Sequence, residues 1–111
     1  MTPIGPAERL TVFIDETDQH GHRPLYTEIL HRARQAGMAG ATVLRGTAGF
    51  GAASHLHVER RARLFENLPA VILIVDRTEK IDAFMPIIDA LVNNGMLVRQ
   101  PVEVVARRGS R

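Results

Sequence analysis

The sequence predicts an α+β domain in which four strands form one antiparallel sheet and two helices cover one of its faces, in the order βαββαβ. Three observations predict it. Stretches with strand character recur at 9–15, 40–46, 70–76 and 96–107. Two stretches with helical spacing of apolar residues fall after the first and after the third of them. Glycines stand where both helices should stop. This is the split βαβ, ferredoxin-like pattern, with a long loop at about 46–66 between the second and third strands.

The first strand, "RLTVFID", alternates Leu10, Val12 and Ile14 with Thr11, Phe13 and Asp15, the period of two that places one apolar row on one face. "ETDQHGHR" then carries turn signals up to Pro24, whose missing N–H suits the first turn of a helix. The helix is expected from about Pro24 to Ala36, with Leu25, Ile29, Ala33 and Ala36 as its buried stripe and Gly37 as its stop. "GATVLRG" reads as the second strand. "AVILIVD" has no polar interruption until its end, which suits a central strand flanked by neighbours. Asp76 and Glu79 have capping-box spacing, and Ile81, Phe84, Met85, Ile88, Leu91 and Val92 give a helical stripe to Asn94, ended by Gly95. Pro86 sits inside that helix and removes one hydrogen bond. In the last strand, "MLVRQPVEVVAR", Pro101 marks an edge or a bulge.

A length of 111 residues fits one domain, 1–111, with its core at about 9–106. Apolar residues at 45% and charged residues at 23% exclude wholesale disorder. The longest apolar run, Ala70 to Val75, is too short to span a bilayer, and Met1 to Glu8 lacks the basic start and apolar core of a signal peptide. A cytoplasmic location without membrane insertion is the expectation. The absence of cysteine excludes disulfides, thiolate metal sites and a cysteine nucleophile. The basic set is almost all arginine, with Lys80 the single lysine; this weakly favours anionic partners, because guanidinium forks match carboxylates and phosphates, although codon bias gives the same composition.

The functional candidate is the stretch "RGTAGFGAASHLHVERRAR", 45–63. Gly46, Gly49 and Gly51 permit positive φ and close backbone approach, so successive N–H groups there could face one anion, with Arg45, Arg60, Arg61 and Arg63 adding charge-assisted forks. The alternative is that the glycines only let the chain turn, while the arginines lie on a solvated segment. His55 and His57 share a face if the segment is extended, and Glu59 continues it, a spacing that permits zinc or copper. Loop histidines without ligand function are commoner, so no metal site is assigned. Asp15, Glu16 and Asp18 cluster after the first strand and read best as turn formers and partners for arginines. Ser54 beside His55 has no orienting acid, and no catalytic constellation emerges. Nucleic-acid binding lacks interleaved aromatics and a basic helix face.

"RPLYTEILHRARQAGMAGATVLRGTAGFG" (23–51), "HLH" (55–57), "LPAVILIVD" (68–76) and "QPVEVV" (100–105) resemble the PII-like family of domain of unknown function 190. The wider PII signalling superfamily shares features that match Thr42, Val43, Gly49, Phe50, Gly51, His55, Leu68 and Pro69. The resemblance implies a non-catalytic regulator. It would assemble as a homotrimer, bind a small anionic ligand in clefts between subunits, a nucleotide being one candidate, and contact a target through the 46–66 loop. A membrane channel or transporter is one conceivable target. With the residue reading above, it makes Thr42, Arg45, Gly46, Gly49, Phe50, Gly51, His55, His57, Arg60 and Arg61 the expected ligand-site residues. Ala52, Ala53 and Ala70 stand where ATP-sensing PII proteins place arginine, glutamine and lysine, which points to a different ligand or a differently held nucleotide. The cofactor is open. A second expectation, from the cation-tolerance relatives of PII, is divalent-metal binding through the histidines.

Overall fold

The computed structural model describes residues 3–51 and 68–108, and the expected strand and helix order is present in them. β1 (Gly5–Asp15) is followed by a two-residue hairpin, β2 (Gln19–His20) and β3 (Arg23–Pro24), then by α1 (Leu25–Gln35) and β4 (Thr42–Arg45). After the undescribed part of the loop come β5 (Pro69–Asp76), α2 (Thr78–Leu91) and β6 (Met96–Val104). The four long strands form one sheet in the order β4-β5-β1-β6, with every neighbouring pair antiparallel. β5 is central, as its uninterrupted apolar run requires, and Pro101 lies on the edge strand β6, where a missing N–H costs least.

Strand alternation decides the two faces. Leu10, Val12 and Ile14 of β1 and Ala70, Ile72 and Ile74 of β5 are fully buried, and they pack with Leu25 and Ile29 of α1 and with Ile81, Phe84 and Ile88 of α2. Both helices therefore cover the same face. The opposite face carries Phe13, Leu44, Val71, Leu73, Val75, Met96 and Val98, and neither helix covers it. Leu44 and Met96 are 51% and 43% exposed. Arg99 links β6 to β1 and α2, donating to Glu8 and Asp82 at 2.7 Å each.

α1 ends as expected at Gly37, whose φ of 74° is left-handed. The Gly37 N–H donates to the Arg34 carbonyl and the Met38 N–H to the Ala33 carbonyl, the paired bonds of a Schellman stop.

Three departures from the sequence reading have a clear physical reason. β1 begins at Gly5 rather than at residue 9, because Gly5 to Glu8 pair with Val104 to Pro101 of β6. That partner is distant in sequence and overrides the weak strand propensity of the segment. The Asp76–Glu79 capping box does not form. The N-cap of α2 is Arg77, with no side-chain cap bond, because the buried Asp76 carboxylate instead accepts the Ala39 N–H and the Arg77 N–H at 2.8 Å each. α2 also stops at Leu91, with Val92 already extended. Gly95 has φ 153°, and a Cβ there would stand 2.4 Å from the Phe13 carbonyl oxygen, so a side chain is excluded by the approach of β1.

Candidate functional site

The 46–66 excursion leaves the sheet from β4 and returns into β5, so its two stems lie side by side. Arg45 is in register with Ala70, and one residue later the Gly46 N–H donates to the Pro69 carbonyl at 2.8 Å. The Pro69 ring lies against Gly46: a Cβ on Gly46 would stand 2.6 Å from the ring Cγ. Gly49, with φ 153°, passes the same ring at ordinary contact distance. These two glycines serve different needs, one a close approach and the other a backbone conformation that side chains disfavour. At Gly51 a Cβ would meet open space and φ is not in the left-handed region, so the expected conformational need is not found there.

The turn after β1 supports these stems. Asp15 Oδ1 accepts the Thr17 N–H at 2.9 Å and its hydroxyl at 2.7 Å, while Asp18 Oδ2 accepts the Asp15 N–H at 3.1 Å. Glu16 is held between them. Its N–H donates to the Leu68 carbonyl at 2.9 Å, and its carboxylate accepts Arg45 Nη2 at 2.8 Å and Nε at 3.1 Å through one oxygen, Oε1. The acids at 15–18 are thus turn formers and an arginine partner, as their clustering suggests. The hydrogen bond from Arg45 to Glu16, followed by the charges of Glu16 and Tyr26, pushes the Arg45 pKa upward against a smaller opposing effect of burial. Arg45 is firmly cationic, and its Nε and one terminal nitrogen are already engaged.

Of the expected ligand residues, Arg45, Gly46 and Gly49 stand together at the stem, the two glycines against Pro69 and Arg45 against Glu16. Thr42 does not join them: it opens β4 and is in register with Leu73, on the sheet face without helices, whereas Arg45 points to the other face. Phe50 is 83% exposed and nothing described covers it. His55, His57, Arg60 and Arg61 lie outside the described residues, as do Ala52, Ala53 and Glu59. Among the described residues no group of three His, Asp or Glu side chains is placed to hold a metal ion. Sequence reasoning anticipated an arginine partner for the acids at 15–18 but not that Arg45 is the one Glu16 takes, and it missed the role of Pro69 in the stem. The acidic cluster and the Leu68–Pro69 pair are both visible in the sequence, but pairing them with Arg45 and Gly46 requires the sheet register.

The comparisons with known proteins agree with this architecture. The model of the family DUF190, described as "Uncharacterized ACR", matches residues 7–104. A UPF0166 protein of Aquifex aeolicus (strain VF5) is 34% identical over 96 residues, 86% of this chain and 90% of that protein. The UPF0166 protein MJ1524 of Methanocaldococcus jannaschii is 30% identical over 93 residues, 83% of this chain and 85% of that protein. Among solved structures, a PII-like protein of Thermus thermophilus superposes with a TM-score of 0.62 at 14% identity, covering 95% of this chain and 94% of that one. CPII of Thiomonas intermedia K12, bound to ADP and bicarbonate, superposes with a TM-score of 0.54 at 16% identity, covering 91% and 90%. The same protein bound to ADP, AMP and acetate gives 0.55 at 15% identity, covering 92% and 91%. At these identities the solved structures establish a shared PII-like fold. No helix among the described residues is long and apolar enough to cross a membrane. With the family model spanning nearly all of β1 through β6 and two curated relatives matched over most of their length, the chain belongs to the DUF190 family.

Proposed function

We propose that the protein is a non-catalytic PII-like signalling regulator, a homotrimer whose inter-subunit clefts bind a small anionic ligand beside the 46–66 stem. Its loop then contacts a target protein. The observation that carries this reading is the placement of the stem. Arg45, Gly46 and Gly49 sit on or just beyond the exposed edge strand β4, at the margin of an apolar sheet face that lacks a helical cover. A face of this kind favours a protein partner, and a second subunit seated on it would turn the open margin at β4 into a cleft. ADP, AMP and bicarbonate are the first ligands to try, because CPII, which shares the fold, is bound to them. In this reading the ligand competes with Glu16 for Arg45, and breaking that pair frees one stem of the loop. Ligand contacts made in only one loop state then bias the loop population.

Calorimetric titration of the full chain with ADP, AMP and bicarbonate, together with light scattering, tests the reading. Saturable binding to a trimer, weakened by Arg45→Ala, is the expected result. A monomer at micromolar concentration, or no heat with any of the three ligands, counts against it. Zinc and copper titrations, with His55→Ala and His57→Ala as controls, address the metal-binding alternative.

A further inference from the structure

A second concave surface lies away from the loop stem, between the outer side of α1 and the segment that leads into β4. Its volume is about 620 Å³, the size of a site for a small organic molecule. Its floor is apolar and built from small or flexible side chains, Leu30, Ala33, Met38 and Ala41, with Gly40 leaving the backbone open to close approach. Its rim carries Arg23, His31 and Arg34, and no acidic residue lines it among the described residues.

The charge at this rim is unbalanced. Glu28, the acid of α1 nearest to it in sequence, accepts Arg32 Nε at 2.7 Å and Arg23 Nη1 at 3.2 Å, so one carboxylate faces two guanidiniums. No further acid among the described residues pairs with the remaining nitrogens of Arg23. Neither the Arg34 guanidinium nor the His31 ring has a hydrogen bond or ion pair among the described residues. A cation near a helix C-terminus is favourable by itself, which accounts for Arg34 being basic. It does not account for a second guanidinium and an imidazole around the same apolar floor.

We propose that this groove binds an organic anion with a flat or apolar body, its phosphate or carboxylate taken by Arg34 and Arg23 while the body lies over Leu30, Met38 and Ala41. The inference is independent of the loop-stem reading, because no residue is shared between the two sites.

The test uses the full ¹⁵N-labelled chain titrated with 1-naphthyl phosphate, 1-naphthoate and neutral 1-naphthol, followed by amide chemical shifts. Saturable shifts confined to Thr27, His31 and residues 39–41 are expected with one or both anions. Binding of 1-naphthol should be at least about tenfold weaker, as should anion binding by Arg34→Ala, since a hydrogen-bonded charge contact is lost in each case. His31→Ala provides a second variant should Arg34→Ala alter the spectrum of the free protein. Stronger binding of the phosphate than of the carboxylate identifies the head group as phosphate, and the reverse identifies carboxylate. Absence of saturable shifts at these amides, equal binding of 1-naphthol, or anion binding unchanged in both variants would overturn the proposal.

Discussion

Gly46→Ala probes whether the loop stem is built by contact between β4 and Pro69. The new Cβ would lie 2.6 Å from Pro69 Cγ, 3.1 Å from Cδ and 3.4 Å from the Pro69 carbonyl oxygen. Carbon atoms pack at about 3.5–4.0 Å, so the stems must separate by roughly 1 Å. That displacement also stretches the 2.8 Å hydrogen bond from the Gly46 N–H to the Pro69 carbonyl beyond useful length. Overpacking costs about 1–3 kcal/mol and the lost bond about 0.5–1.5 kcal/mol. Replacing glycine by alanine recovers about 0.4–1 kcal/mol by reducing the freedom of the unfolded chain. The net expectation is a loss of about 0.5–4 kcal/mol, read from urea unfolding followed by circular dichroism, with faster hydrogen exchange at residue 46. Pro69→Ala removes Cγ and Cδ, so Gly46→Ala should cost markedly less in that background. Equal cost in both backgrounds would refute the reasoning, because the penalty would then not arise from the proline ring.

Four further outcomes follow from the same geometry. Asp76→Ala leaves the N–H groups of Ala39 and Arg77 without their carboxylate and should lower unfolding free energy by about 2–4 kcal/mol; a change below about 0.5 kcal/mol would remove Asp76 as the tie between the α1–β4 segment and β5. Leu44→Glu places a charge on the uncovered sheet face, and light scattering should show a smaller assembly with secondary structure unchanged. Glu16→Gln weakens the hold on Arg45, and amide exchange should accelerate at Gly46, whose N–H is bonded to the Pro69 carbonyl, while the centre of β5 stays protected. The fourth concerns pH. Burial pushes the Glu28 carboxyl upward, but the hydrogen bond and charge of Arg32, with the charges of Arg23 and His20, outweigh it and bring the pKa below its ordinary 4.5. A pKa depressed in the folded state gives stability that is full above the unfolded value and fades as pH falls through the folded one. Glu28→Gln should therefore flatten the acid limb of the stability profile below about pH 4.5 and leave the neutral region's slope unchanged; an acid limb identical to that of the unaltered protein would contradict the assignment.

Apolar periodicity by itself determined most of the fold. Leu10, Val12 and Ile14 at spacing two, and Leu25, Ile29 and Ala33 at spacing four, specify which face of each element is buried, because side-chain direction follows from local backbone geometry alone. Gly37 is legible for the same reason: the left-handed stop needs only its immediate neighbours. Whatever depends on distant partners was decided by the tertiary structure. Asp76 reads as a helix cap, yet the α1–β4 segment approaches it and takes its carboxylate. Gly46 reads as a site of close backbone approach, yet what approaches it is a proline ring 23 positions further along the chain, which only the sheet register brings there. Arg45 reads as a free anion ligand, yet the turn after β1 supplies Glu16. Local sequence sets the direction in which a side chain points, whereas sheet register and helix packing set what it meets there, and the second is a property of the whole chain.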